Sequence, residues 1–112
     1  MTLPNREQAT IPPEKLSDYL LSLNHPVGHS KAVFFRTLGF DDSNVGQLAG
    51  ALLKIAQSET VSDTIKTEYG VKYLISGELT SPTDKTARIV TIWIIDKGQT
   101  NPRFITAYPS EE

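Results

Sequence analysis

The sequence predicts an α+β domain in which two to three N-terminal helices pack on a four-stranded antiparallel sheet. Three observations predict it. Up to Ser58 the apolar residues recur at helical spacing, as at Leu16, Tyr19, Leu20 and Leu23 and again at Val45, Leu48, Leu52 and Ile55. Beyond Ser58 the period falls to two, with Val71, Tyr73, Ile75 and Leu79 set among Lys72, Ser76 and Glu78. Turn-forming clusters then divide the second half at short intervals, and helices followed by such a meander are the α+β signature.

Each element has its own local reason. Residues 1–12 are polar and end in Ile11-Pro12-Pro13, which predicts a loose arm before the first helix, with Pro13 tolerated at its start. That helix runs from Glu14 to about Leu23. It stops at Asn24-His25-Pro26-Val27-Gly28, because Pro26 disfavours helical geometry at His25 and Gly28 permits a turn. Ser30 is placed to cap a second helix that turns Phe34, Phe35 and Leu38 inward, and Gly39 ends it in the left-handed region. Asp41-Asp42-Ser43-Asn44, with Gln47 three residues after Asn44, opens a third helix to about Gln57. The strands follow as Thr64–Tyr69, Val71–Leu79, Thr86–Ile95 and Arg103–Tyr108, with Gly70, Ser81–Asp84 and Asp96–Pro102 as turns. Thr86–Ile95 is the most apolar, which predicts a central strand covered on both faces.

Composition bounds the chemistry. At 112 residues the chain is a single domain over 1–112, with an acidic tail at 110–112. The absence of cysteine removes disulfides, thiolate metal sites and thiol nucleophiles together. The longest apolar run, Ile92–Ile95, is far short of a membrane span, and the first residues lack a secretory signal, so a cytoplasmic, non-membrane protein is expected, with export as an effector the alternative. The net charge of −2 is not that of a dedicated nucleic-acid binder. Basic residues nonetheless gather in the strand half: Lys66, Lys72, Lys85, Arg88, Lys97 and Arg103 against Glu68, Glu78, Asp84 and Asp96.

The chemistry-bearing candidates fall in two places. His29, Ser30 and Lys31 open the second helix, where a histidine suits proton transfer and a lysine suits a phosphate. His25 stands in the turn before them. The last strand alternates so that Phe104, Thr106 and Tyr108 share one face, opposite Arg103, Ile105 and Ala107, and it offers hydroxyl donors beside an aromatic. Thr91 and Trp93 share a face of the preceding strand, as candidate substrate contacts. Glu68 and Glu78 are the strand carboxylates suited to act as a base, and Arg88 and Arg103 the guanidiniums suited to developing phosphate charge. No third ligand joins the histidines at metal-binding spacing, so neither metal nor cofactor is expected.

Across nearly its whole length the chain resembles a small bacterial family of unknown function, DUF6883. The likeness is carried by Ile11-Pro12-Pro13-Glu14-Lys15-Leu16, by Asn24-His25-Pro26-Val27-Gly28-His29-Ser30-Lys31, by Phe34-Phe35-Arg36-Thr37-Leu38-Gly39-Phe40 and by Pro102–Pro109. That family's plan is in turn similar to the barnase–EndoU–colicin–RelE group of metal-independent ribonucleases. The resemblance implies a toxin domain that cleaves RNA by 2′-hydroxyl attack, restrained by an immunity or antitoxin protein. In it His29, Lys31, Arg103, Thr106 and Tyr108 would do the chemistry, while Thr91, Trp93 and Arg88 would contact the substrate. The contrasting expectation is a non-catalytic module that binds a protein partner or homo-oligomerises through its sheet.

Overall fold

A computed structural model describes residues 1–24, 26 and 29–110. The expected turn through His25, Val27 and Gly28 and the acid pair Glu111 and Glu112 lie outside the described residues. Two helices, α1 (His29–Thr37) and α2 (Val45–Ser58), precede four strands, β1 (Asp63–Thr67), β2 (Gly70–Thr80), β3 (Thr86–Asp96) and β4 (Arg103–Pro109). The strands form one antiparallel sheet in the order β1-β2-β3-β4. This is the α+β architecture the two periods predict.

The first helical stripe is realised differently from its expectation. Residues Leu16–Leu20 wind as a π-helical turn, in which the Leu21 N–H donates to the Leu16 carbonyl at 2.8 Å. The wider turn rotates the following residues, so Leu16, Leu20 and Leu21 are buried while Leu23 is turned outward. Arg36 of α1 locks the end of this turn through two hydrogen bonds to the Leu21 carbonyl, at 2.9 and 2.6 Å. Ser30 lies inside α1, one residue past its first, and so is not its cap. Gly39, at φ 107°, closes α1 as expected: its N–H donates to the Arg36 carbonyl at 3.0 Å and that of Phe40 to Phe35 at 3.1 Å.

Leu48, Leu52, Ile55 and Ala56 form the buried face of α2, which packs across β2. Gly77 is what allows the approach, since a Cβ there would sit 2.9 Å from Ile55 Cγ2. Beneath the helices lie Ile75, Leu79, Ile89, Trp93, Phe104 and Ala107. Phe104 meets Trp93 edge-on at 5.3 Å.

Three further expectations are corrected. The arm over 1–12 is docked: Leu3 is buried in the core, and Thr10 pairs in parallel with Arg103, accepting the Phe104 N–H at 2.9 Å and donating to Pro102 at 3.1 Å. A single buried leucine and two backbone bonds outweigh a polar composition. β3 is interior to the sheet, but its second face is covered less than the face under the helices: Ile94 is buried there, whereas Val90 and Ile92 are half-buried. The alternation of β4 is broken by a bulge, because Ile92 pairs with Thr106 while Trp93 pairs with Phe104, leaving Ile105 over. Phe104 and Ala107, opposite Trp93 and Thr91, are therefore the buried pair, and Thr106 and Tyr108 take the register of Ile92 and Val90.

Candidate functional site

The π turn, α1 and β4 converge on one polar cluster. The Lys31 ammonium donates to the Tyr19 phenol oxygen at 2.6 Å and to the Thr106 hydroxyl at 3.0 Å, and the two hydroxyls lie 3.0 Å apart. Lys31 stands 5.1 Å from the Tyr19 ring centre. With so short a bond to the oxygen, that distance places it beyond the ring edge on the phenol side, so the contact is a hydrogen bond and not a cation over the ring face. Lys15 stands 5.3 Å from the same ring centre, four residues before Tyr19. All three members of the triangle are half-buried.

Partial burial pushes the Tyr19 phenol up, but hydrogen bonds with Lys31 and Thr106 and the charges of Lys31 and Lys15 outweigh it, and the phenol ionises below its ordinary value. The hydrogen count is also informative. Lys31 supplies hydrogens to both oxygens and has three N–H donors in all. Cationic and hydroxyl donors held on three separate elements suit an anion such as a phosphodiester.

The other expected site residues are placed elsewhere. His29 is exposed, and its Nδ1 lies 2.8 Å from the Leu23 carbonyl. A carbonyl only accepts, so Nδ1 carries the hydrogen and Nε2 is left as the basic nitrogen of the neutral ring. Two residues apart on a helix, His29 and Lys31 do not share a face. Arg103 forms a forked ion pair with Asp96, at 2.7 and 3.0 Å, which holds the Asp96 carboxyl below the usual range and raises the guanidinium. Arg88 is exposed opposite Glu78, and Tyr108 is half-buried opposite Val90.

Thr91 and Trp93 do not face a substrate: both are fully buried. The Trp93 Nε1–H donates to the Thr91 hydroxyl at 2.9 Å, and that hydroxyl donates to the Ile75 carbonyl at 2.8 Å. No ring face of Trp93 is left for a base. Of the expected residues, then, Lys31 and Thr106 meet, and the structure adds Tyr19 and Lys15. Their signal in the sequence was a phenol in an otherwise aliphatic stripe, with a lysine one turn before it. Among the described residues no group of three His, Asp or Glu is arranged to hold a metal, and no helix is long and apolar enough to cross a membrane.

A family model for a domain of unknown function, DUF6883, matches residues 2–111, nearly the whole chain, and the chain belongs to that family. No curated protein matches it. Among solved structures, a chain of the contact-dependent growth inhibition toxin–immunity protein complex from Klebsiella pneumoniae 342 is similar, with a TM-score of 0.74 at 18% identity. The match covers 96% of this chain and 98% of that one. At this identity the likeness is one of fold.

Proposed function

We propose that this DUF6883 domain is a metal-independent, ribonuclease-like bacterial toxin domain that cleaves RNA at the Lys31–Tyr19–Thr106 triangle and is restrained by a cognate immunity protein. The observation that carries the reading is the triangle itself: a cation and two hydroxyls share one half-buried site, with the phenol made more acidic. The similar fold in a toxin–immunity complex supports it, and either member of such a pair has a protein partner.

In this reading the 2′-oxygen attacks the adjacent phosphorus and the bond to the 5′ oxygen breaks, leaving a 2′,3′-cyclic phosphate and a 5′-hydroxyl. Lys31 and Thr106 donate to the non-bridging oxygens as charge builds there. Tyr19 gives its proton to the departing 5′ oxygen, since an acidified phenol is the better general acid. Solvent water takes the 2′-hydroxyl proton, since His29 does not share the helix face of Lys31. Arg103 and Tyr108, farther along β4, and Arg88 serve as contacts for the flanking strand.

The test is cleavage of purified total RNA in the presence of EDTA, with cyclic phosphate ends as the readout. Lys31→Met is expected to slow cleavage about a hundredfold or more, the scale of removing one preorganised donor. Intact RNA with the wild-type chain, or cleavage unaffected by Lys31→Met, would overturn the reading. A non-catalytic binding module is the second reading, favoured by the half-exposed Val90 and Ile92 on the sheet face away from the core; self-association in gel filtration without RNA cleavage would support it.

A further inference from the structure

Lys15 is the one member of the polar cluster to which the cleavage reading gives no role. It stands half-buried, four residues before Tyr19, with its ammonium 5.3 Å from the phenol ring centre. Lys31 reaches the same ring from α1, at 5.1 Å, so the two ammoniums are at most about twice that distance apart. Among the described residues the ion pairs are Arg36–Asp42 and Arg103–Asp96, so neither lysine is neutralised by a carboxylate. Glu14 and Asp18, the acidic residues nearest to Lys15 in the chain, are exposed and form no ion pair with it.

Two uncompensated cations around one half-buried phenol repel each other, and an anion with two charges relieves both. A single phosphodiester supplies one charge, which Lys31 meets. The second charge lies either on the same phosphorus, as in a terminal phosphate, or on the next phosphate of the strand. The contacts of Lys15 decide between them. Lys31 donates to the hydroxyls of both Tyr19 and Thr106, whereas Lys15 bonds neither and acts on the phenol by its charge alone. Lys15 therefore addresses a point beside the triangle and not the triangle itself. A strand carries one charge about every 3.4 Å of its axis, so its neighbouring phosphates fit the span between the two ammoniums.

We propose that Lys15 binds the phosphate adjacent to the one held by Lys31 and Thr106, so that the cluster grips two consecutive phosphates of one RNA strand. This rests on the cleavage reading for its choice of RNA, and it sets the smallest substrate that engages the whole site: three nucleosides joined by two charged linkages. Lys15 does not touch the reacting phosphorus; it is a binding contact that fixes the strand's position on the triangle. A lysine suits that task, being a compact charge with rotatable donors on a flexible stem.

The probe is a 2′-O-methyl uridine trinucleotide, which lacks the attacking hydroxyl, so binding is read apart from cleavage. A companion probe has one of its two linkages replaced by a neutral methylphosphonate. Titrated into the labelled full chain and followed by amide chemical shifts, the fully charged form is expected to bind about tenfold more tightly than its companion. Lys15→Met should lower affinity for the charged form by that factor and leave the companion unchanged, erasing the preference, while Lys15→Arg should keep it. For the charged form, the slope of log affinity against log salt should shrink by about 0.7 in Lys15→Met, one phosphate's share on a single strand. Lys31→Met should weaken both probes. A Lys15 that acted only through the Tyr19 ring would weaken both probes alike and leave the salt slope unchanged in Lys15→Met, which would overturn the proposal. So would equal binding of the two probes by the wild type, or no shifts with either up to about 1 mM. The two readings fail separately: intact RNA in the EDTA assay alongside a Lys15-dependent preference removes cleavage alone, and cleavage without that preference removes the phosphate pair alone.

Discussion

Two threonines on neighbouring strands of this sheet each meet an aromatic, Thr91 the Trp93 of its own strand and Thr106 the Tyr19 of the π turn, and the fates of the two pairs are opposite. Thr91 and Trp93 are sealed in the core, where one hydroxyl accepts from the indole and donates to Ile75, closing the chain of bonds. Thr106 and Tyr19 lie half-buried, with the Lys31 ammonium donating to both. The same residue types make a structural staple in one place and a candidate site in the other. The difference lies in water access and in the added cation.

That contrast can be broken most severely at Trp93. Trp93→Ala removes the largest fully buried side chain and its contact with Phe104, and should cost about 3–5 kcal/mol of stability, as read by urea unfolding. The sharper comparison applies one chemical change to both pairs. Thr91→Val strands a buried indole N–H and should cost about 1–3 kcal/mol, whereas Thr106→Val, where water can replace the hydroxyl, should cost under about 1 kcal/mol. Equal costs at the two positions would mean that the triangle is as closed as the core pair.

A pH titration probes the triangle alone. Because the folded phenol of Tyr19 ionises below its ordinary value, its ionisation adds stability that is fully present above the unfolded value near 10 and is lost as pH falls through the folded one. Absorbance titration should find this tyrosine ionising below its ordinary value, and Lys31→Met should move it upward while leaving neutral-pH stability nearly unchanged. The smallest effect belongs to Arg103. Its hydrogen bonds depress the Asp96 carboxyl, so the pair's stabilisation is present above about pH 4 and lost as pH falls through the folded value. Both partners are well exposed, and Arg103→Ala should therefore change stability by only a few tenths of a kcal/mol, confined to the acid limb of a pH–stability curve.

Much of the fold was legible because its causes are local. The drop in period after Ser58, the Gly39 stop and the Ser81–Asp84 turn each follow from a few adjacent residues, and all three stand in the structure. The errors share a different cause. The π turn at Leu16–Leu20, the bulge at Ile105 and the docking of Leu3 each depend on partners distant in sequence. The site divides the same way. Lys31 and Thr106 were identifiable one by one as donors, but 75 positions separate them, and Tyr19 passed for one more member of an apolar stripe.

The amino-acid sequence by itself determined where helices give way to strands, where the chain turns and which residue types were available for chemistry, because periodicity and turn preference act over a few residues. It took the folded chain to seal Trp93 away, to pair Arg103 with Asp96 and to bring Lys31, Tyr19 and Thr106 together. Strand register, a one-residue bulge and a widened helical turn set those meetings, and each is settled by the packing of the whole core.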